Sequence, residues 1–249
     1  MDTNILVFIL VGFIAQMIDG AMGMAYGVSS NTFLLSLGIP PAAASASVHM
    51  AEVVTTGVSG ISHWRLGNVN WSLVRRLLIP GVIGGVTGAY ILTSIDADFI
   101  KPYVSAYLLV MGVVILVKAF KKSGDDGKDR THQAGLLGLA GGFFDSIGGG
   151  GWGPIVTTTL VARGNNPRFT IGSVNFSEFF VTFSESAVFV LTLSLANYWQ
   201  IILGLLIGGV IAAPLAAIVA RKLPVRALMV MVGTLIIALS IRTIYMALV

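Results

Sequence analysis

Long apolar segments joined by short polar connections make up almost the whole chain. A segment of about 20 apolar residues is long enough to cross the hydrocarbon core of a bilayer as a helix. The pattern therefore predicts an all-α polytopic membrane protein. Its eight hydrophobic segments are residues 5–37, 42–64, 73–95, 100–120, 133–162, 169–194, 199–220 and 226–248.

A hydrophilic stretch, KKSGDDGKDRTHQ at 121–133, divides the chain into two similar halves. A shift of 126 residues aligns 19–56 with 145–182 without a gap, and eleven of the 38 positions are then identical. The matches include the paired acidic residues Asp19/Asp145 and Glu52/Glu178, which shared hydrophobicity does not explain. We expect a first membrane repeat at 1–120, a linker at 121–132 and a second membrane repeat at 133–249.

The charges of equivalent connections are opposite in the two halves. Arg65, Arg75 and Arg76 follow the second segment of the first half, whereas 195–198, the equivalent connection, has no Lys or Arg. Because cytoplasmic loops are rich in Lys and Arg, the two repeats are predicted to have inverted topologies. The same rule predicts a cell (inner) membrane protein with both termini outside and the 121–132 linker in the cytoplasm.

Inversion requires an odd number of membrane crossings in each half. The segments 5–37 and 133–162 are too long for one span, and a glycine motif interrupts each of them. We expect each to form a broken, re-entrant helical hairpin that enters and leaves on one side, followed by three transmembrane helices. If both arms of each hairpin span fully, the chain crosses ten times and the parity is unchanged.

Composition agrees with this architecture and excludes several classes of function. The chain is 55% hydrophobic and 10% charged, with a mean hydropathy of +0.89 and no cysteine. Its net charge of +4 comes from short loops beside apolar segments, so the expected partner is the lipid bilayer and not nucleic acid. No metal-ligand spacing or nucleotide-binding motif appears, and no cofactor is expected. The Tyr-Asp and Gly-x-Gly-Asp motifs of intramembrane aspartyl proteases are absent, and the prediction is that the protein is not an enzyme.

The two glycine motifs are the first candidate for a binding site. They read DGAMGMAYG at 19–27 and DSIGGGGWGP at 145–154. Non-helical backbone inside a membrane needs protein or a water-filled cavity around it, and a helix that begins there presents free N–H groups to an anion. Close helix packing is the alternative role for glycine, and we assign that role to Gly81, Gly84, Gly85, Gly88, Gly204, Gly208 and Gly209. Four glycines in a row exceed what packing requires, so the substrate-binding candidates here are Gly148, Gly149, Gly150, Gly151, Trp152, Gly23, Tyr26 and Gly27.

Intramembrane carboxylates are the second candidate. Glu52 and Glu178 lie near mid-depth of their predicted helices, where an ionised carboxylate is costly and should face the protein interior. Their helices carry further polar residues on the same face, among them Ser45, Thr56, Ser177, Thr182 and Glu185. We predict proton coupling at Glu52, Glu178, Asp19 and Asp145, and substrate contacts from Ser47, His49, Ser173 and Asn175. The alternatives are hydrogen bonds that only hold the helices together and, for Asp19 and Asp145, caps on the second hairpin arms.

The second half resembles a known family over GLAGGFFDSIGGGGWGPIVTTTLVARGNNPRFTIGSVNFSEFF, residues 138–180. This stretch is similar to the sulfite exporter TauE/SafE family, also called the 4-toluene sulfonate uptake permeases. The resemblance implies a secondary transporter of small sulfur-containing anions such as sulfite, sulfonates or sulfoacetate, which we expect to export its substrate with proton coupling. A homo-oligomer is compatible with this interpretation. The alternative function is a cation channel or cation-coupled carrier that uses the four carboxylates.

Overall fold

The computed structural model describes residues 4–22, 24–120, 133–219 and 225–248, and within these ranges every regular element is a helix. The helices of the first half are α1 (Ile5–Met22), α2 (Tyr26–Ser36), α3 (Pro41–Arg65), α4 (Trp71–Ser94) and α5 (Ala97–Phe120). Those of the second half are α6 (Ala134–Gly148), a π-helical turn (Gly153–Thr157) that continues into α7 (Thr158–Ala162), α8 (Pro167–Thr192), α9 (Trp199–Val219) and α10 (Val225–Leu248). A 3₁₀ turn, Leu195–Tyr198, precedes α9. The predicted linker at 121–132 lies outside the described residues.

Among the described helices, five are long and apolar enough to cross a membrane, namely Trp71–Ser94, Ala97–Phe120, Pro167–Thr192, Leu195–Ala213 and Met229–Leu248. The helix α3 has 25 residues but is not one of them, although the sequence predicts a span at 42–64. The reason is its Ser, Thr, His and Glu side chains, most of which are buried inside the protein. Large apolar side chains such as Leu6, Ile79, Val110 and Leu191 are exposed on the outer helix faces. Such faces suit lipid, and the protein is a multi-pass membrane protein.

Both long segments are broken where the glycine motifs predict a break. The helix α1 ends at Met22 and α6 ends at Gly148, positions that differ by the same 126 residues as the sequence repeat. The second arms end at Ser36 and Ala162, and the next helices begin at Pro41 and Pro167, again 126 residues apart. Local structure therefore repeats together with sequence. The second arms of the two hairpins differ in their first turn. In the second half this turn is π-helical, and its Pro154 carbonyl accepts a hydrogen bond from Lys118 Nζ (3.0 Å).

Helices of one half pack mainly against helices of the other half. The helix α1 packs on α9. Their equivalents in the other repeat are α6 and α4, and these two helices also pack on each other. The helix α3 packs on α8 and α5 on α10, so these contacts join equivalent helices. Exchanging the two halves leaves this set of contacts unchanged, as a two-fold relation between the halves requires.

Glycines allow the closest of these contacts. A Cβ on Gly142 would lie 2.9 Å from the backbone N of Gly85, and one on Gly208 would lie 2.6 Å from the backbone N of Phe13. The predicted packing role is confirmed for Gly81, Gly84, Gly85, Gly88, Gly204 and Gly208, where a Cβ would approach a neighbour closer than 3.0 Å. At Gly209 the nearest atom is 3.5 Å away, which is ordinary contact.

Hydrogen bonds join the α3–α4 connection to the start of α8, and a separate one joins the end of α2 to α10. Arg168, at the start of α8, donates from Nε to Asn68 Oδ1 (2.5 Å), and the Asn70 N–H donates to Ser173 Oγ (2.8 Å). The α3–α4 connection therefore lies against the start of α8. Elsewhere Arg242 of α10 donates from Nη1 to the carbonyl of Ser36 (2.8 Å), which brings the end of α2 beside α10.

Candidate functional site

The tips of the two hairpins contact each other through their backbones. A Cβ on Gly27 would lie 2.5 Å from the Gly149 carbonyl oxygen and 2.6 Å from the Gly150 Cα. Gly149 and Gly150 have φ angles of 61° and 148°, which favour glycine. The breaks in the two repeats therefore form one composite structure at the centre of the protein.

The remaining glycines of the second tip are also closely packed. A Cβ on Gly148 would overlap the ring of Tyr107, one on Gly151 would overlap the hydroxyl of the same tyrosine, and one on Gly149 would lie 2.5 Å from Asn31 Cγ. Asn31 also donates from Nδ2 to the Gly148 carbonyl (2.5 Å). Close contacts thus occur at all four glycines, which supports the packing alternative, and their role in substrate binding stays a prediction.

Each tip is capped by its own aspartate. Asp145 Oδ1 accepts hydrogen bonds from the N–H groups of Gly151 (2.6 Å) and Trp152 (2.8 Å). Asp19 Oδ1 accepts one from Tyr26 N–H (3.3 Å), at the position equivalent to Trp152. The capping alternative is therefore confirmed for both residues. These three amides are not free for an anion, contrary to the idea of an unoccupied helix N-terminus.

A cavity of about 320 Å³ lies between the tips, α3 and α8. Its wall includes the carboxyl groups of Asp19, Glu52, Asp145 and Glu178, which form two repeat-related pairs. Glu52 and Glu178 both interact electrostatically with Asp19 and Asp145. No Lys or Arg of the described residues lines this cavity, but the imidazole of His63 does, and uncharged hydrogen-bonding groups complete the wall at Gln16, Tyr26, Thr55, Thr56, Ser59 and Asn175.

Comparison with known proteins identifies the family of this chain. The family model described as Sulfite exporter TauE/SafE matches residues 8–243. The chain belongs to the sulfite exporter TauE/SafE family. It is 43% identical over 248 residues to "Probable membrane transporter protein YtnM" of Bacillus subtilis (strain 168), covering 96% of this chain and 82% of that protein. It is 31% identical over 187 residues to a "Probable membrane transporter protein" of Haemophilus influenzae, covering 71% of this chain and 70% of that protein. No solved structure matches the chain.

The family match and these relatives identify the TauE/SafE chain as a membrane transporter. Most of its predicted site residues lie around the cavity. Those on the cavity wall are Asp19, Tyr26, Gly27, Glu52, Asp145, Gly150, Gly151, Asn175 and Glu178. Gly148, Gly149, Trp152, Ser47, Ser173 and His49 are not among its lining residues. Gly23 lies outside the described residues.

The residues away from the wall have other contacts in this TauE/SafE protein. Trp152 is fully buried in an apolar cluster, and its indole N–H donates to the Val174 carbonyl (3.2 Å). Ser47 donates to the Ala43 carbonyl (2.7 Å), and Ser173 donates to the Phe169 carbonyl (2.6 Å). Bonds of this kind satisfy a buried hydroxyl within its own helix.

His49 joins a second, buried cluster of this TauE/SafE transporter. Its Nδ1 is 2.7 Å from the Ser45 carbonyl, which can only accept, so Nδ1 carries a proton. Its Nε2 is 2.8 Å from Glu185 Oε2 and 3.6 Å from Asp145 Oδ2. Three helices, α3, α6 and α8, thus contribute one charged or ionisable side chain each.

Sequence reasoning places Glu185 on the polar face of its helix but assigns it no role. Its spacing of seven residues from Glu178 is two helical turns, which puts both carboxylates on one face and is a usable signal. Tyr107 and Asn31, which pack on the second tip, have no signal in the sequence because they come from other parts of the chain.

Proposed function

We propose that this protein is a secondary transporter that exports small sulfur-containing anions, of the sulfite, sulfonate or sulfoacetate type, with proton coupling. The observation that carries the proposal is the cavity at the junction of the two hairpin tips. Two repeat-related pairs of carboxyl groups and a set of neutral hydrogen-bond donors line it. Membership of the TauE/SafE family and the transporter names of the relatives support transport as the activity.

Protons and an anion bind together in such a cavity for an electrostatic reason. An ionised carboxylate about 4 Å from an anion costs about 4 kcal/mol at an effective dielectric constant of about 20. That weakens binding by about a thousandfold, whereas a protonated carboxyl donates a hydrogen bond to the same anion. Asn175 and Thr55, which also line the cavity, would supply further hydrogen-bonding groups.

The transport cycle proposed here uses two inverted repeats. The exchange-symmetric helix contacts agree with any two-fold relation between the repeats, and the meeting of the α3–α4 connection with the start of α8 supports the inverted one. The positive-inside rule places both of these connections in the cytoplasm. The end of α2 and α10 meet elsewhere, as expected if both lie outside.

Flux measurements in proteoliposomes test the proposal. We expect sulfite or sulfoacetate to accumulate against its gradient when a pH gradient is imposed. The double variant Glu52→Gln plus Glu178→Gln should lose this accumulation, because neither side chain can then change its charge. The control is Asp98→Asn, which removes an exposed carboxylate from the start of α5, outside the cavity wall. Accumulation that ignores the pH gradient in the unmodified protein would contradict proton coupling, and absence of flux for every sulfur anion tested would contradict the substrate class.

One observation favours a second candidate, a cation-coupled carrier. The cavity wall carries four carboxyl groups and one histidine, His63, with no Lys or Arg of the described residues, a composition that also suits a metal cation. In this case anion flux would follow a Na⁺ or K⁺ gradient at constant pH. The same Glu52→Gln plus Glu178→Gln variant would abolish that dependence.

A further inference from the structure

The duplication relates two side-chain pairs that link α3 with α8. His49 and Glu185 form one pair, with 2.8 Å between Nε2 and Oε2. The positions 126 residues away are Asn175 and Ser59, and Asn175 Nδ2 donates to Ser59 Oγ at 2.9 Å. The two repeats therefore place the same cross-link at equivalent positions, once with ionisable partners and once with neutral ones.

The two pairs differ in their access to the cavity. Asn175 and Ser59 are on the cavity wall, whereas His49 and Glu185 are both 0% exposed. The same difference holds for their neighbours, since Thr55 lines the cavity and its equivalent, Val181, is fully buried. The cavity is thus open on the side of the neutral pair and closed on the side of the ionisable pair.

The geometry of the buried pair requires a proton. Nδ1 of His49 donates to the Ser45 carbonyl, so Nε2 faces two carboxylate oxygens, from Glu185 and Asp145, with either a lone pair or a second N–H. A lone pair facing Glu185 Oε2 at 2.8 Å would be repulsive unless a proton lies between the two atoms. The 2.8 Å between Nε2 and Oε2 also argues against a metal ion held between the two atoms. Two ligands of a tetrahedral zinc ion with bonds of about 2.0–2.1 Å lie roughly 3.3 Å apart. Among the described residues, His49 Nε2 and both carboxylate oxygens of Glu185 lack an aligned hydrogen bond, so the pair is a close contact of ionisable groups.

The charged groups that face this pair come from three helices. They are Asp145 of α6, which lies beside His49, and Glu52 of α3 and Glu178 of α8, which interact electrostatically with Glu185; Gly85 of α4 packs against the Glu185 side chain. Asp145 links the pair to the second tip, because its other oxygen holds the amides of Gly151 and Trp152. A proton gained or lost at the pair therefore changes the charge beside the group that caps the second hairpin arm.

We propose that His49 and Glu185 form a second site on the path of the coupling proton, in addition to Glu52 and Glu178, and that this pair opens to water on the side of the membrane opposite to the present cavity. In an inverted-repeat carrier, exchange of the conformations of the two repeats converts one open state into the other. The buried pair then takes the environment that Asn175 and Ser59 have in the present state. This inference rests on the proposed function, since it adds a second proton site, outside the cavity wall, to the coupling carboxyl groups of the cavity.

The first experiment copies the neutral pair into the ionisable position. The double variant His49→Asn plus Glu185→Ser reproduces a pair that the chain already accommodates between the same two helices. We expect accumulation of substrate driven by a pH gradient to fall by about tenfold or more, while exchange of labelled for unlabelled substrate is retained. If this variant does not fold, Glu185→Gln, which keeps the size of the side chain, is measured in the same two assays.

The second experiment measures access from each side. The chain has no cysteine, so single cysteines can be introduced directly. Thr55→Cys and Val181→Cys occupy equivalent positions in the two repeats, and both changes are small. We expect a membrane-impermeant maleimide to label them from opposite sides, and conditions that increase labelling of one to decrease labelling of the other.

The outcomes separate this inference from the function on which it rests. Loss of proton-driven accumulation with retained exchange, together with opposite-sided labelling, supports it. Proton-driven accumulation that survives His49→Asn plus Glu185→Ser overturns it and leaves the proposed function intact. Zinc retained stoichiometrically by the purified protein and lost in Glu185→Gln also overturns it. A lack of proton-driven accumulation in the unmodified protein instead contradicts the proposed function itself.

Discussion

At the scale of single residues, Asp145 combines structural and electrostatic roles. One oxygen caps two amides of the second tip, and the other lies 3.6 Å from His49. Its counterpart Asp19 caps one amide at 3.3 Å. The aspartates at this repeated position therefore make different numbers of hydrogen bonds in the two repeats. Substitutions of Asp145 and Asp19 can be compared with each other for this reason.

We predict that Asp145→Ala destabilises the protein by about 3 kcal/mol, because two hydrogen bonds to a buried charged group are lost. Asp19→Ala should cost about 1 kcal/mol, as for the loss of an ordinary N-cap. Unfolding of the purified protein in detergent measures both. Asp145→Asn is the control, since its amide oxygen still accepts from both N–H groups, and equal losses for the two alanine variants would contradict the assignment.

The tip glycines show why single substitutions there do not test binding. A side chain on Gly150 would meet the backbone of Gly27 and Val28, and one on Gly149 would meet Asn31. Loss of substrate binding in such variants would follow from misplaced hairpins. Glu52, Glu178 and Asn175 are better targets because they line the cavity and do not cap the tips.

At the scale of elements, the contact between α4 and α6 depends on glycines from both helices. Gly142 of α6 lies against the backbone of Gly81 and Gly85. Such contacts suit a membrane interior, where helices associate by close packing and not by exclusion from water. They also fix the position of α6, whose last turn carries Asp145.

We predict that Gly142→Leu separates α4 from α6 and destabilises the protein by about 3 kcal/mol through overpacking. Gly135→Leu is the control on the same helix, because a Cβ there has its nearest neighbours at 3.7 and 3.8 Å. The fraction of monodisperse protein after detergent extraction and its thermal unfolding provide the measurement. Equal behaviour of the two variants would show that the close contact is not what holds α6 in place.

At the scale of the whole molecule, the central question is the relative orientation of the repeats. Pro40 and Asn166 occupy equivalent positions, each directly before a long helix. Inverted repeats place them on opposite sides of the membrane, with position 40 outside and 166 in the cytoplasm. Parallel repeats would place them on one side.

Cysteine labelling decides between these arrangements. We expect Pro40→Cys to react with an impermeant maleimide from outside in intact cells and Asn166→Cys to react only after the membrane is opened. The cysteine-free parent serves as the blank. Labelling of both positions in intact cells would refute inversion.

The sequence by itself determined the features that depend on local pattern. Apolar segment length predicted the helices, glycine motifs predicted the two breaks, and the 126-residue shift predicted equivalent helix ends at Met22 and Gly148. It also singled out the four carboxylates that line one cavity, because an acidic residue in an apolar segment must face protein or water.

Only the tertiary structure decided what these residues contact. In the tertiary structure Trp152 is buried in an apolar cluster, and the tip amides donate hydrogen bonds to aspartates. His49 lies beside Glu185, although 136 positions separate them in the sequence. The physical reason is that contacts between the halves depend on how helices cross and on which small residues let them approach. A periodic pattern specifies which face of a helix is buried, but the partner that covers this face is chosen by packing across the whole bundle.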